Sequence, residues 1–198
     1  LATQPYVVQA LSNPNKIPET EAELADALPG IEAVHLFPYR MIPRTASGDG
    51  LLGFSGLELA RRAETGQRLY PDAFPRDNRW YVQMATPVRS PTSNAVQGSL
   101  LIIFDAARIQ PLLQVVNARL GGQLALVQTV SGSSRTVVSN GSASGDAETR
   151  PLTNPDWTVA YTPARKPAAP VDSIMIAILV GVPVLIAAII VWALLGGA

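Results

Sequence analysis

Trp80-Tyr81-Val82-Gln83-Met84-Ala85-Thr86-Pro87-Val88, a polar turn over Ser90 to Ala95, and then Gly98-Ser99-Leu100-Leu101-Ile102-Ile103-Phe104-Asp105 form the stretch that decides the fold. Trp80, Val82, Met84, Thr86 and Val88 alternate with Tyr81, Gln83, Ala85 and Pro87. That period of two places successive side chains on opposite faces of a strand. From Ser99 to Phe104 the run is apolar on both faces, as an interior strand covered on two sides requires. The polar turn closes the two strands into a hairpin.

On the N-terminal side, Leu1 to Leu11 reads as a helix, ended by Pro14 and Pro18. Thr20 is expected to cap a second helix, Glu21 to Leu28, with Glu21 and Glu23 suiting its dipole; Pro29-Gly30 stops it. Ile31 to Phe37 reads as a strand ending at Pro38. Met41 to Phe54 is irregular, and Ser55 is expected to cap a helix through Ala63 that closes at Gly66. On the C-terminal side, Pro111 opens a helix to Leu120 with the apolar stripe Leu112, Leu113, Val115, Val116 and Leu120, stopped by Gly121. Strands follow over Gln123 to Val130 and Arg135 to Ser139, joined through Ser131-Gly132-Ser133. A loop over Asn140 to Asp146 leads to a last strand around Trp157, Val159 and Tyr161. Hairpin-paired strands flanked by helices make an α+β domain with an antiparallel sheet.

Ile174 to Leu195 carries no charge and no Ser, Thr, Asn or Gln. At about 1.5 Å per residue it covers about 33 Å, against a bilayer core of about 30 Å. One transmembrane helix over 174–195 is expected, with the lipid bilayer as partner. A Pro- and Ala-rich linker, 164–173, separates it from a domain over 1–163. Residues 1–19 are expected to be an N-terminal helix continuing from an upstream membrane helix. Formal net charge is zero, from 15 Lys and Arg against 15 Asp and Glu, with no basic cluster to serve nucleic acid. Cysteine is absent, which excludes disulfides and thiolate metal sites.

The hairpin from Trp80 to Asp105, with its Pro87-Val88 ending and the Gly98 that opens the next strand, resembles the centre of Cache and PAS-like extracytoplasmic sensor domains. Trp157-Thr158-Val159-Ala160-Tyr161, ahead of an apolar span, looks like the exit strand of such sensors. The resemblance covers roughly 20–163. It implies a PAS/Cache-like sheet on the periplasmic side of a bacterial inner membrane, reading a small extracytoplasmic ligand for a chemoreceptor, sensor kinase or nucleotide cyclase. More narrowly, Ser55-Gly56-Leu57-Glu58-Leu59-Ala60-Arg61-Arg62-Ala63-Glu64-Thr65-Gly66 with Pro71-Asp72-Ala73-Phe74 resembles the membrane-anchored N-terminal extension of long-form bacterial phosphomannomutase/phosphoglucomutase. The mutase's phosphoserine loop, metal-binding aspartates and sugar loop have no counterpart here, so that resemblance implies a regulatory anchor. A structural anchoring or homodimerisation module is the other reading.

No catalytic residue, cofactor or metal ligand is assigned. His35, the only histidine, lies inside a strand between Val34 and Leu36 and reads as a partly buried side chain rather than as a triad base or metal ligand. Gly48-Asp49-Gly50-Leu51-Leu52-Gly53 has the letters of a dinucleotide-binding glycine pattern. No apolar strand runs into Gly48, so it reads as a loop. Asn140-Gly141-Ser142 fits a glycosylation sequon by letters alone. The candidate ligand pocket is Phe37, Arg79, Trp80, Tyr81 and Met84, between sheet and helices, where Arg79 or Arg76 would meet a carboxylate. Amino-acid-binding Cache domains carry an arginine two residues before the tryptophan. That position is Asn78 here, so amino-acid specificity is not carried over.

Overall fold

The computed structural model describes residues 2–46, 50–67 and 69–164. They fall into two compact units that divide after Asp105, each built on a four-stranded antiparallel sheet with helices. Among the described residues no helix is long and apolar enough to cross a membrane. The expected span, 174–195, lies outside them, as do Leu1, Gly48, Asp49 and the segment 165–173.

The first unit opens with α1 (Pro5–Ser12), a single 3-10 turn (Pro14–Lys16) and α2 (Ile17–Ala27). α1 ends at Ser12, with Asn13 extended ahead of Pro14 as the proline demands, and Pro18 plays no part in that end. Each proline sits in the first turn of the element it opens, where a missing N–H costs nothing and a fixed φ favours the helix. The second helix therefore starts at Ile17, before the Thr20 cap expected from the sequence, and Thr20 is buried within it. Next come β1 (Ile31–Pro38), α3 (Phe54–Glu64), β2 (Asp72–Arg76), β3 (Arg79–Arg89) and β4 (Val96–Asp105). Ser55 lies in the first turn of α3, not at its cap; Gly53 holds the cap position without a side-chain bond. β2 and β3 meet across Asp77-Asn78, both at positive φ (49° and 61°), the backbone of a type I′ two-residue hairpin turn.

Sheet order is β1-β4-β3-β2, and the register sorts the side chains. Val34, Leu36, Val88, Leu100 and Ile102 cluster with Val7, Ala10, Leu11 and Leu24, so α1 and α2 cover one face. Phe37, Tyr81, Leu101 and Ile103 cluster with Leu57 and Ala60, so α3 covers the other. β4 is thus apolar on both sides, as its sequence requires. Gly98 passes so close to β1 that a Cβ there would run into the Phe37 carbonyl oxygen. Pro87 sits where no strand pairs with Thr86 to Arg89 on the β2 side among the described residues, a position that tolerates a residue with no N–H.

In the second unit, a 3-10 turn (Ala106–Ile109) leads into α4 (Gln110–Leu120), followed by β5 (Gln123–Val130), β6 (Ser133–Gly141), β7 (Glu148–Pro151) and β8 (Trp157–Thr162), with sheet order β6-β5-β8-β7. Leu124, Leu126, Val137, Val138, Trp157 and Val159 are buried, and Leu113 is the buried residue of α4.

Candidate functional site

Directly opposed residues of neighbouring strands share a face. The α3 side of the first sheet therefore carries His35 and Phe37 from β1, Tyr81, Gln83 and Ala85 from β3, Ser99, Leu101 and Asp105 from β4, and Asp72 and Phe74 from β2. This face is not purely apolar. Gln83 and Ser99 are both 0% exposed.

Gln83 Nε2 donates to Ser55 Oγ at 2.7 Å and to Asp72 Oδ2 at 2.8 Å, tying the first turn of α3 to β2. Its Oε1 has no hydrogen-bond partner among the described residues; Ser99 Oγ and His35 Nε2 share that condition. Buried polar atoms are nearly always paired, and leaving one unpaired costs about 1–3 kcal/mol. Gly56 makes the arrangement possible, because a Cβ there would stand 2.9 Å from Gln83 Oε1 and 3.1 Å from Leu101 Cδ2.

Aromatic rings flank this polar row. His35 stacks on Phe37 with centroids 6.1 Å apart, and Phe74 on Tyr81 at 5.7 Å. Burial lowers the pKa of His35 below its ordinary value, so it is a neutral imidazole at neutral pH. At the end of the sheet Tyr81 lies opposite Asp105, whose Oδ2 stands 4.0 Å from Arg79 Nη1. The Arg79 side chain is 64% exposed, and such a pair contributes little to stability. Arg76, the other arginine expected to meet a carboxylate, stands 3.6 Å from that of Asp77 at the adjacent turn.

Helix α3 is held by more than its apolar stripe. The Glu64 carboxylate accepts from the Arg40 backbone N–H at 3.2 Å, and Arg61 donates to the Pro43 carbonyl oxygen at 2.6 Å. The chain after β1 is thereby fastened along the helix. Burial raises the Glu64 carboxyl, an effect opposed by the Arg40 N–H and charge. On the other side of the sheet, Glu21 of α2 accepts the Leu36 N–H at 2.7 Å; burial raises its carboxyl too, against that hydrogen bond.

Of the five residues expected in a pocket, the structure brings Phe37 and Tyr81 into one cluster and puts Arg79 on the same face at its rim. Trp80 and Met84 stand on the opposite face, opposed to Pro75 and Ile102. The sequence reading did not single out Gln83, Ser99 or Asp72. The available signal was a polar residue at an inward position of a strand with apolar neighbours. His35 lies opposite Leu101 and Ser99 opposite Phe37, a diagonal relation of about 7–8 Å, and no hydrogen bond joins them. Helix α3 does leave Gly53, as a dinucleotide site would want, but β1 ends at Pro38 and pairs antiparallel, so the parallel βαβ setting is missing. Among the described residues no group of three or more His, Asp and Glu is placed to hold a metal.

No protein-family profile and no curated protein matches the chain. Among solved structures, it is similar to the ligand-binding domain of the Pseudomonas aeruginosa PAO1 amino-acid chemoreceptor PctC, determined in complex with GABA. Identity is 15%, TM-score 0.41, and the match covers 78% of this chain and 92% of that one. What that receptor binds is a property of that receptor.

Proposed function

We propose that residues 1–163 are an extracytoplasmic sensory domain that takes a small polar molecule on the α3-covered face of the first sheet, with the apolar stretch 174–195 as its tether in a bacterial inner membrane. One observation carries this reading. Gln83 and Ser99 are wholly buried beside Phe37 and Tyr81, yet Gln83 Oε1 and Ser99 Oγ have no partner among the described residues. A packed anchor gains nothing from such atoms, whereas a binding site needs a few fixed polar groups among apolar and aromatic walls. Binding would act by favouring one position of α3 over another, since a ligand shifts only states it binds unequally.

Melting the purified 198-residue chain in mild detergent against a library of amino acids, amines, carboxylic acids and sugars tests the proposal. A true ligand at a hundred times its Kd adds about 2.7 kcal/mol of stability, and Gln83→Leu removes that gain. If nothing in the library stabilises the chain, the anchoring or homodimerisation reading takes its place. The likeness of Ser55 to Gly66 and Pro71 to Phe74 to the mutase extension supports a narrower form, in which the sensor regulates an attached sugar-phosphate mutase. A full-length gene product without mutase activity would sink that form alone.

A further inference from the structure

At the end of the second unit three backbone segments meet with almost no side chain between them. Gly121 (φ 65°) ends α4, its N–H bonded to the Asn117 carbonyl at 2.8 Å. Gly122 (φ 105°) follows, and a Cβ there would run into the Thr162 carbonyl oxygen and the backbone after it. Gly141 (φ 85°), at the end of β6, faces Gly122, and its Cβ would collide with the Gly122 carbonyl oxygen and with Asn117 Nδ2. Any other residue at 122 or 141 meets both backbone strain and a backbone clash.

Polar bonds fasten the same point. Asn117 Nδ2 donates to the Gly122 carbonyl at 3.0 Å and to Asn140 Oδ1 at 3.3 Å. This uses the amide of the would-be sequon inside the fold. The Tyr161 hydroxyl, on β8, donates to the Gly121 carbonyl at 2.8 Å. Asn117 Oδ1 is buried with no partner among the described residues. Turning the amide over would put that oxygen against the backbone carbonyl oxygens of Gly122 and Asn140, so the orientation is fixed. An unpaired acceptor and three left-handed glycines are a costly way to end a helix that needed only one glycine.

We propose that this junction is a coupling joint: it fastens the end of β8 to the C-terminus of α4, so a displacement of α4 is delivered to the chain that leaves Thr162. In the sequence that chain runs through the Pro-rich linker into the apolar stretch 174–195. The joint is a property of the second unit and stands or falls apart from any ligand in the first.

Hydrogen exchange of the full chain in detergent tests it, read at the amides of Tyr161, Thr162 and Ala164, with Thr129 to Ser134 at the far end of the β5–β6 hairpin as reference. Gln114→Gly loosens α4 at an exposed site outside the joint, by the ordinary cost of glycine in a helix interior. With the joint intact, exchange at the exit amides rises about fivefold while the reference amides hold steady. Asn117→Ala with Tyr161→Phe cuts the joint; the exit amides then exchange faster at the outset, and adding Gln114→Gly changes them no further. Tyr161→Phe alone, which removes a single hydroxyl, serves as the background if the pair fails to fold. The proposal is overturned if Gln114→Gly leaves the exit amides unchanged, if it speeds exit and reference amides equally, or if its effect is the same with the joint cut.

Discussion

Replacing Gly56 by alanine sets a general preference against a local contact. In a helix interior the change is ordinarily favourable by about 0.5–1 kcal/mol, because glycine loses more backbone freedom on folding. Here the added methyl would lie 2.9 Å from Gln83 Oε1 and 3.1 Å from Leu101 Cδ2, where carbon contacts prefer about 3.5–4.0 Å. Neither neighbour retreats freely. Leu101 is fully buried, and Gln83 is pinned through Nε2 to Ser55 and Asp72. Overpacking of this kind costs about 1–3 kcal/mol, more than the propensity gain. We expect Gly56→Ala to lower the stability of the first unit by about 1 kcal/mol, a fall in Tm of about 4–8 °C, measured by circular dichroism. In a Gln83→Ala background the nearest contact is gone and the same substitution becomes neutral or stabilising. A higher Tm for Gly56→Ala alone, or equal effects in the two backgrounds, would refute the picture of α3 seated on a fixed Gln83 amide.

Gly98→Ala drives a methyl into the Phe37 carbonyl oxygen and should cost about 1–3 kcal/mol in urea unfolding; a wild-type midpoint would place β1 farther from β4. Burial holds the folded pKa of His35 below the ordinary 6.5, so the unfolded chain binds its proton first as pH falls. The His35 contribution is complete above pH 6.5 and is lost as pH drops through the folded pKa. His35→Phe should flatten that part of the stability profile, and an unchanged acid slope would count against a buried neutral imidazole. Glu21 has the opposite sign. Its raised carboxyl makes the fold lose stability as pH climbs from 4.5 through the folded pKa, and Glu21→Gln should remove that loss in the same urea series. Pro87→Thr restores an N–H to a β3 segment with no strand beside it among the described residues, and concentration-dependent self-association in sedimentation is expected; a monodisperse variant would show that the edge is guarded by something else.

Much of the fold was legible where one physical signal dominated. The alternation from Trp80 to Val88 and the doubly apolar run from Ser99 to Phe104 gave β3 and β4, because burial on one face or two leaves a periodic mark. Gln123 to Val130 matches β5 from end to end. β2 and β7 went unread for the opposite reason. β2 is five residues long and carries Pro75, too short for buried Ala73 and core-packed Phe74 to mark a period, whereas all of Glu148 to Pro151 is exposed, so β7 is held by ladder bonds that leave no hydrophobic pattern. Pro18 was misread because proline stops a helix it interrupts and starts one it precedes, and only the backbone shows which. The division after Asp105 carries no linker composition to betray it. The candidate site was half visible. Parity alone sends Trp80 and Tyr81 to opposite faces, but only the packing of α3 shows which face holds Gln83 Oε1 and Ser99 Oγ, unpaired among the described residues.

Ile31 lies opposite Phe104, and Gln123 opposite Thr162, so in both units the opening strand begins beside the end of the closing strand. Tension drawn between those two points loads the ladder as a zipper, breaking one pair of bonds at a time, each bond worth about 1 kcal/mol net, instead of shearing the whole row at once. Each sheet would therefore peel open at small pulling forces, and its torn edge would find its register again from the pairs still closed at the far end.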